Sequence, residues 1–352
     1  MSKSKIPFTG IPLAGRVPVR LALLALALAA ASGAARAQGA LAADALISQD
    51  LEESARRGEV TYFSEAWLID TMERRTGSLD EVPRVYYRYH VVPEGMNRLQ
   101  ARLDVYNRYG DRDVVKPLLW LLNRNDLEDL HPGDTLVVPS EFGLDFRAYS
   151  PFPHYYPGAR NIDKVVILEK NIQAWAAYEW GELQRWGIIS TGAESNRTPS
   201  GRFNINWKQD YRVSTLSPGV INPAASNELW EMYWVMNFHE TRGIHMHQYA
   251  LPTSGPASHG CVRLLEPDAK WLYNWTDAWQ KTGGDEISSV GATIHRQGTM
   301  VLVIGRDISG PPSPFVFRED YPAIRMVHLP PDPWAVPPGS PQQEQFDRRR
   351  GG

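Results

Sequence analysis

The chain has 352 residues, 43% hydrophobic and 22% charged, enough for one large domain or two ordinary ones with appendages. That balance excludes a disordered chain, and the lack of any apolar run past the N-terminus long enough to span a bilayer excludes a membrane bundle. The formal net charge is −3 and becomes −8 once the basic first 37 residues are set aside, leaving 32 Lys+Arg against 40 Asp+Glu, which argues against nucleic acid as a partner.

Residues 1–37 follow the secretory pattern. Lys3, Lys5, Arg16 and Arg20 precede an apolar stretch from Leu21 to about Ala31, and Ala35-Arg36-Ala37 fits a small-x-small cleavage site. The stretch is short for a membrane anchor, the alternative reading. The mature chain is therefore expected to be exported to the periplasm or cell envelope, with no stable membrane span. Residues 38–85 place apolar residues such as Leu46, Leu51, Trp67, Leu68 and Met72 at helical spacing and predict a helical segment. Residues 86–139 read as strand, helices, tight turn and strand, from Tyr86–Val92 to Pro132-Gly133-Asp134 and Leu136-Val137-Val138-Pro139.

Residues 140–160, rich in Pro, Phe and Tyr, read as a linker packed against something. From 161 to 306 short strand candidates alternate with turn signals: Val165–Leu168, Gln173–Tyr178, Gly187–Thr191, Arg202–Asn206 and Thr299–Ile304. That pattern predicts a β-sandwich or barrel. After Arg306 the composition shifts. Ten of the 27 prolines fall between Pro311 and Pro341, so residues 307–352 are expected to be an extended or disordered tail.

The chemistry concentrates in Gly243–Tyr249 and Ser258–Leu264, where His245, His247, His259 and the only cysteine, Cys261, fall within seventeen positions. A lone cysteine in an exported chain has no internal disulfide partner, so it is either inert core or a reactive thiol. An ordinary thiol is protonated at neutral pH and needs an imidazole or a positive setting to become nucleophilic. If 244–248 is a strand, His245 and His247 share a face. Gly260 permits a tight approach at the thiol, backbone N–H groups there are placed to hold an oxyanion, and Arg263 is placed to pair with a substrate carboxylate.

The run Ile244-His245, a twelve-residue gap, then Ser258-His259-Gly260-Cys261-Val262-Arg263 resembles the signature of the YkuD family of L,D-transpeptidases. Ser190-Thr191-Gly192, Thr198–Phe203 and the stretch Asp268–Tyr273 resemble the family's flanking segments. The resemblance implies an α+β, mainly β fold: a β-sandwich-type catalytic domain over 161–306, preceded by a small helical βααβ region. It also implies cysteine-dependent acyl transfer on peptidoglycan stem peptides with release of D-alanine. The acyl group would pass to an amine, which an envelope protein could also supply, and no cofactor is needed. By position Cys261 is the nucleophile, His245 the base and His259 a support for the cleft. Ser258, Gly260, Arg263 and His247 would contact substrate, and Tyr233 and Trp234, with Trp230, could wall it. Met246 and His247 depart from the usual Gly-Thr, so a second imidazole stands beside the expected base. Residues 86–139 resemble a degenerate LysM glycan-binding module, with Gly95–Leu99 departing from its first turn.

Three other readings stay open on sequence alone. The same thiol would serve an L,D-carboxypeptidase or endopeptidase. The pairs His245/His247 and His259/Cys261 have the x-spacing of a zinc site. A wall-binding protein without catalysis would use only the LysM-like stretch. Of the remaining histidines, His239 is placed near the cleft entrance, and His90, His131, His154, His295 and His328 are assigned to surface or packing.

Overall fold

The computed structural model describes residues 82–350, apart from 111, 126, 252–254, 318–320 and the side chain of residue 350. The predicted leader and most of the helical segment at 38–85 lie outside the described residues. Among the described residues no helix is long and apolar enough to cross a membrane.

The chain opens with β1 (Tyr87–Val91), α1 (Arg98–Tyr109), α2 (Arg112–Asn123) and β2 (Thr135–Pro139). Strands β1 and β2 pair antiparallel, Tyr89 opposite Val137. Asn97 and Gln100 form a reciprocal cap that satisfies the first free N–H groups of α1. Asn123, buried at the end of α2, donates from Nδ2 to the Leu119 and Val137 carbonyls and accepts from the Val137 N–H at Oδ1. One amide thus ties the second helix to the second strand.

The β-rich part comprises β3 (Lys164–Glu169), β4 (Ala174–Glu179), β5 (Glu182–Ser190), β6 (Gly201–Asn204) and β7 (Lys208–Val213). After a short α3 (Pro218–Ile221) come β8 (Glu231–His239), β9 (Ile244–Gln248), β10 (Val262–Leu264) and α4 (Glu266–Trp275). The hairpin β11 (Gln280–Gly283) and β12 (Ala292–Arg296) precedes β13 (Met300–Ile304). The predicted sandwich is, in detail, one curled nine-stranded sheet in the order β6-β13-β3-β4-β5-β10-β9-β8-β7. Two pairs, β13 with β3 and β10 with β9, are parallel, and the rest are antiparallel.

The apolar patterning explains the curl. Val166, Leu168, Trp175, Phe203, Met236, Met246 and Val262 fill its inside with Ala269 and Leu272 of α4. Alternate residues of the same strands, Val165, Ile167, Ala176, Tyr178, Trp186 and Leu302, face outward yet are also buried, under Leu118, Leu121 and Leu122 of α2 and Phe146, Tyr149 and Phe152 of the connecting segment. A sheet covered on both faces needs unbroken apolar strands, which is why 165–168 and 300–303 read as continuous runs rather than alternations. The segment 140–160 is accordingly packed core and not a tether.

The tail departs from expectation. It forms a small hairpin, β14 (Val316–Phe317) with β15 (Ala323–Ile324), and a terminal helix, α5 (Pro341–Arg350). Between them the chain lies along the edge strand β6: Arg202 N–H donates to the Pro337 carbonyl and Gly339 N–H to the Arg202 carbonyl. Prolines offer no N–H, so such a segment can only border a sheet. Gly339 is required there because a Cβ would sit 1.9 Å from Phe203 Cζ. Arg202 closes the strap with two parallel hydrogen bonds to Asp347, 2.8 and 2.6 Å.

Candidate active site

A cleft of about 460 Å³ opens at the β7–β8–β9–β10 end of the sheet. Cys261 reaches it from the step before β10. Val262 pairs with Met246 and Arg263 with His247 in the parallel ladder, so Cys261 stands level with His245, and all four odd-numbered side chains, His245, His247, Cys261 and Arg263, point to the cleft face.

The loop that presents the thiol is held by side chains from the strand-end segments flagged in the sequence. Ser258 hydroxyl donates to the Cys261 carbonyl and accepts from the Gly260 N–H. Thr198 hydroxyl donates to the Gly260 carbonyl at 2.8 Å and accepts from the Gly192 N–H at 2.9 Å. Gly260 itself has φ +116°, a backbone state that a side chain opposes. Ser258 therefore shapes the turn and also lines the cleft.

Both strand histidines are buried. Asn237 Nδ2 donates to His245 Nδ1 at 3.0 Å, and the Trp207 ring packs on the same imidazole. His247 Nδ1 donates to the Gln248 carbonyl at 2.9 Å. Desolvation lowers both, His245 to about 3 with help from His247 and Arg212, and His247 to about 4. Burial also pushes the Cys261 thiol up, against a downward pull from the His245 backbone N–H and from Arg263 and Arg242. The resting cleft thus holds a neutral thiol beside neutral imidazoles, so nucleophilic attack requires proton transfer in the reaction itself.

His259 is exposed and stacks on Trp230 at 5.1 Å. It lines the same cleft as the buried pair, but among the described residues no group of three or more His, Cys, Asp or Glu is placed to hold a metal ion. Arg263 stacks over Tyr249 at 4.6 Å and donates to the Ala257 carbonyl at 3.2 Å.

Tyr233 and Trp234 do not line the cleft. Trp234 packs edge-on against Tyr273 and under Lys270, and Tyr233 is exposed beside Tyr211. The cause is a bulge: Trp234 has φ +54° and the β8–β9 register shifts between Tyr233 and Met236. Met232 before the bulge and Val235 after it therefore pack on the same side, with Trp207. The wall is Trp230 and Met232 instead, joined by Trp207, Arg212, Glu240 and Arg242. The sequence offered Trp230 as a candidate, but nothing in it connected Trp207, Arg212 or Arg242 to the thiol, since they come from other strands and turns. Glu240 accepts three hydrogen bonds from Ser288 and Ser289 and so anchors the β11–β12 hairpin loop at the rim. A larger cavity, about 630 Å³, lies between the sheet and the C-terminal strap, away from the thiol.

A thiol on a rigid turn, imidazoles in ladder register and a cationic rim thus line one cleft. Residues 163–303 match the YkuD family, the L,D-transpeptidase catalytic domain. The match covers under half of the chain and spans β3 to β13. Solved structures similar to this chain include an L,D-transpeptidase from Mycobacterium smegmatis, at 17% identity over 40% of this chain and 58% of that one, TM-score 0.31. Another, from Stackebrandtia nassauensis, is 22% identical over 41% and 57%, TM-score 0.29. The catalytic domain of the E. faecium L,D-transpeptidase is 19% identical over 40% and 97%, TM-score 0.28. The chain spans under two thirds of the length of the first structures it matches. No curated protein matches the chain closely enough to count as a relative.

Proposed function

We propose that the protein is a peptidoglycan L,D-transpeptidase in which Cys261 is the nucleophile. One observation carries the reading: the only thiol of the chain sits at the head of β10, level with a buried imidazole of β9, inside a cleft of the L,D-transpeptidase domain. An imidazole of β9 takes the thiol proton as sulfur attacks the carbonyl of a stem tetrapeptide. The Gly260 N–H already donates to Ser258, so the Cys261 N–H is the turn's donor to the oxyanion. The C–N bond breaks, the imidazolium protonates the departing D-alanine amine, and a thioester remains. The same imidazole then deprotonates the acceptor amine, which displaces sulfur. Arg263 and Arg242, both flanking the thiol, are suited to substrate carboxylates.

The acceptor is a second stem peptide or an amine of an envelope protein, and water in its place would give carboxypeptidase action. The protein works outside the cytoplasm, where peptidoglycan lies. His259, on its Trp230 shelf, supports the cleft rim. The βααβ unit at 87–139 serves as a degenerate LysM-like module toward the glycan.

Incubation with defined tetrapeptide muropeptides, read by mass spectrometry, tests the proposal. Crosslinked dimers with loss of D-alanine are expected, and tripeptides alone would make the enzyme a carboxypeptidase. Cys261→Ser is expected to lower turnover at least ~10³-fold, because a hydroxyl in place of the thiol is a far weaker nucleophile. Full activity of that variant would sink the mechanism.

A further inference from the structure

Spacing in the sequence makes His245 the base, but the hydrogen bonds around the two imidazoles divide their roles differently. The Gln248 carbonyl can only accept, so His247 Nδ1 carries a proton and its Nε2 presents a bare lone pair. His245 is held the opposite way. Asn237 Nδ2 lies 3.4 Å from the His239 carbonyl and 3.2 Å from the Ile244 carbonyl, while its Oδ1 accepts from Asn206 Nδ2 at 2.8 Å. Two carbonyls on one side and an amide donor on the other fix the orientation of the Asn237 amide. Its NH₂ therefore faces His245 Nδ1, which must accept, leaving the His245 proton on Nε2.

We propose, granted the Cys261 nucleophile of the preceding subsection, that His247 is the general base and His245 a neutral N–H donor, with Asn237 and Asn206 as positioning residues that fix its tautomer. The thiol proton passes to His247 Nε2, directly or through one water. The imidazolium so formed keeps Nδ1–H on the Gln248 carbonyl, a bond that strengthens with charge. Protonating His245 instead would set an Nδ1–H against the Asn237 amide donor and lose a buried hydrogen bond. His245 Nε2–H then faces the negative charge that develops in the cleft. On collapse of the tetrahedral intermediate the proton on His247 Nε2 leaves with the amine. The acceptor amine returns a proton to the same atom as the C–S bond breaks.

Groups facing this pair from neighbouring elements are Arg212 of β7, Glu228 of the β7–β8 loop, Glu240 and Arg242 of the β8–β9 turn, Tyr249, His259, Cys261 and Arg263. All stay in place in the histidine and asparagine variants. The pH dependence of tetrapeptide turnover and of Cys261 alkylation by iodoacetamide would be compared in the full chain and in variants, with circular dichroism to confirm folding. His247→Gln, close in volume, is expected to lower turnover ~10²–10⁴-fold, the range of a lost general base, and to make the rate climb steadily with pH. His245→Ala should slow the reaction yet keep the low-pH inflection of the parent. Asn237→Asp in the His247→Gln background should recover at least ~10-fold, because a carboxylate draws the proton to His245 Nδ1 and frees Nε2. An inflection kept by His247→Gln and lost in His245→Ala overturns the assignment, as does absence of rescue by N237D. Cys261→Ala with turnover intact would instead remove the thiol mechanism itself, whatever the histidines do.

Discussion

Two imidazoles buried in the neutral form cost the fold stability in acid. His245 and His247 titrate near 6.5 when the chain is unfolded, but burial lowers them to about 3 and about 4 in the native state. Between those limits the unfolded chain binds protons that the folded one refuses, so stability is full above about pH 6.5 and falls as pH drops toward 4. Each histidine should remove roughly 1–2 kcal/mol between pH 6.5 and 5. Urea unfolding across that window measures the loss, and His247→Gln should flatten it, whereas an unchanged slope would mean that the imidazole is not held neutral. At this scale the sequence was most informative. Cys261, His245 and His247 fall on one face because alternation in a strand is a local property. Trp234 was mis-aimed because one residue of positive φ reverses that alternation, and no pattern in 230–239 announces the bulge.

Among elements, the C-terminal strap is where composition misleads. Proline density suggests an extended or disordered tail, yet proline only forbids donation and does not forbid edge packing. The strap uses Pro337 as an acceptor and Gly339 as a donor. It covers β6, an edge strand that would otherwise expose unpaired backbone. The bond that fixes it is the fork between Arg202 and Asp347, whose partners lie 145 positions apart and so cannot be paired by reading. Arg202 is 4% exposed, and Asp347→Ala leaves its guanidinium buried without that carboxylate. A loss of about 1–3 kcal/mol is expected by urea titration. A second readout is faster proteolysis after residue 306 in Asp347→Ala. A variant as stable and as resistant as the parent would show that the strap is held by its apolar contacts alone.

For the molecule as a whole, one apolar cluster joins parts that the sequence separates into module, linker, catalytic domain and tail. Leu118, Leu121 and Leu122 of α2, Phe146 to Tyr156 of the connecting segment, Trp186 of β5 and Phe315 of the tail pack together. Backbone confirms the continuity: Phe315 N–H donates to the Leu122 carbonyl. Arg124 crosses the same junction, donating to the Ile172 carbonyl at 3.0 Å while its guanidinium lies 4.5 Å over the Phe315 ring. Period and turn chemistry located the strands, since those are local, but which faces meet is set by apolar residues scattered over 200 positions. Surfaces joined this way should unfold together. Calorimetry of the protein is expected to give a single transition that includes the βααβ unit. Arg124→Ala, which removes the bridge, should lower its midpoint by a few degrees, as ~1 kcal/mol does for a chain of this size. Two resolved transitions in the parent would mean that residues 87–139 fold as an independent module and only rest against the sheet.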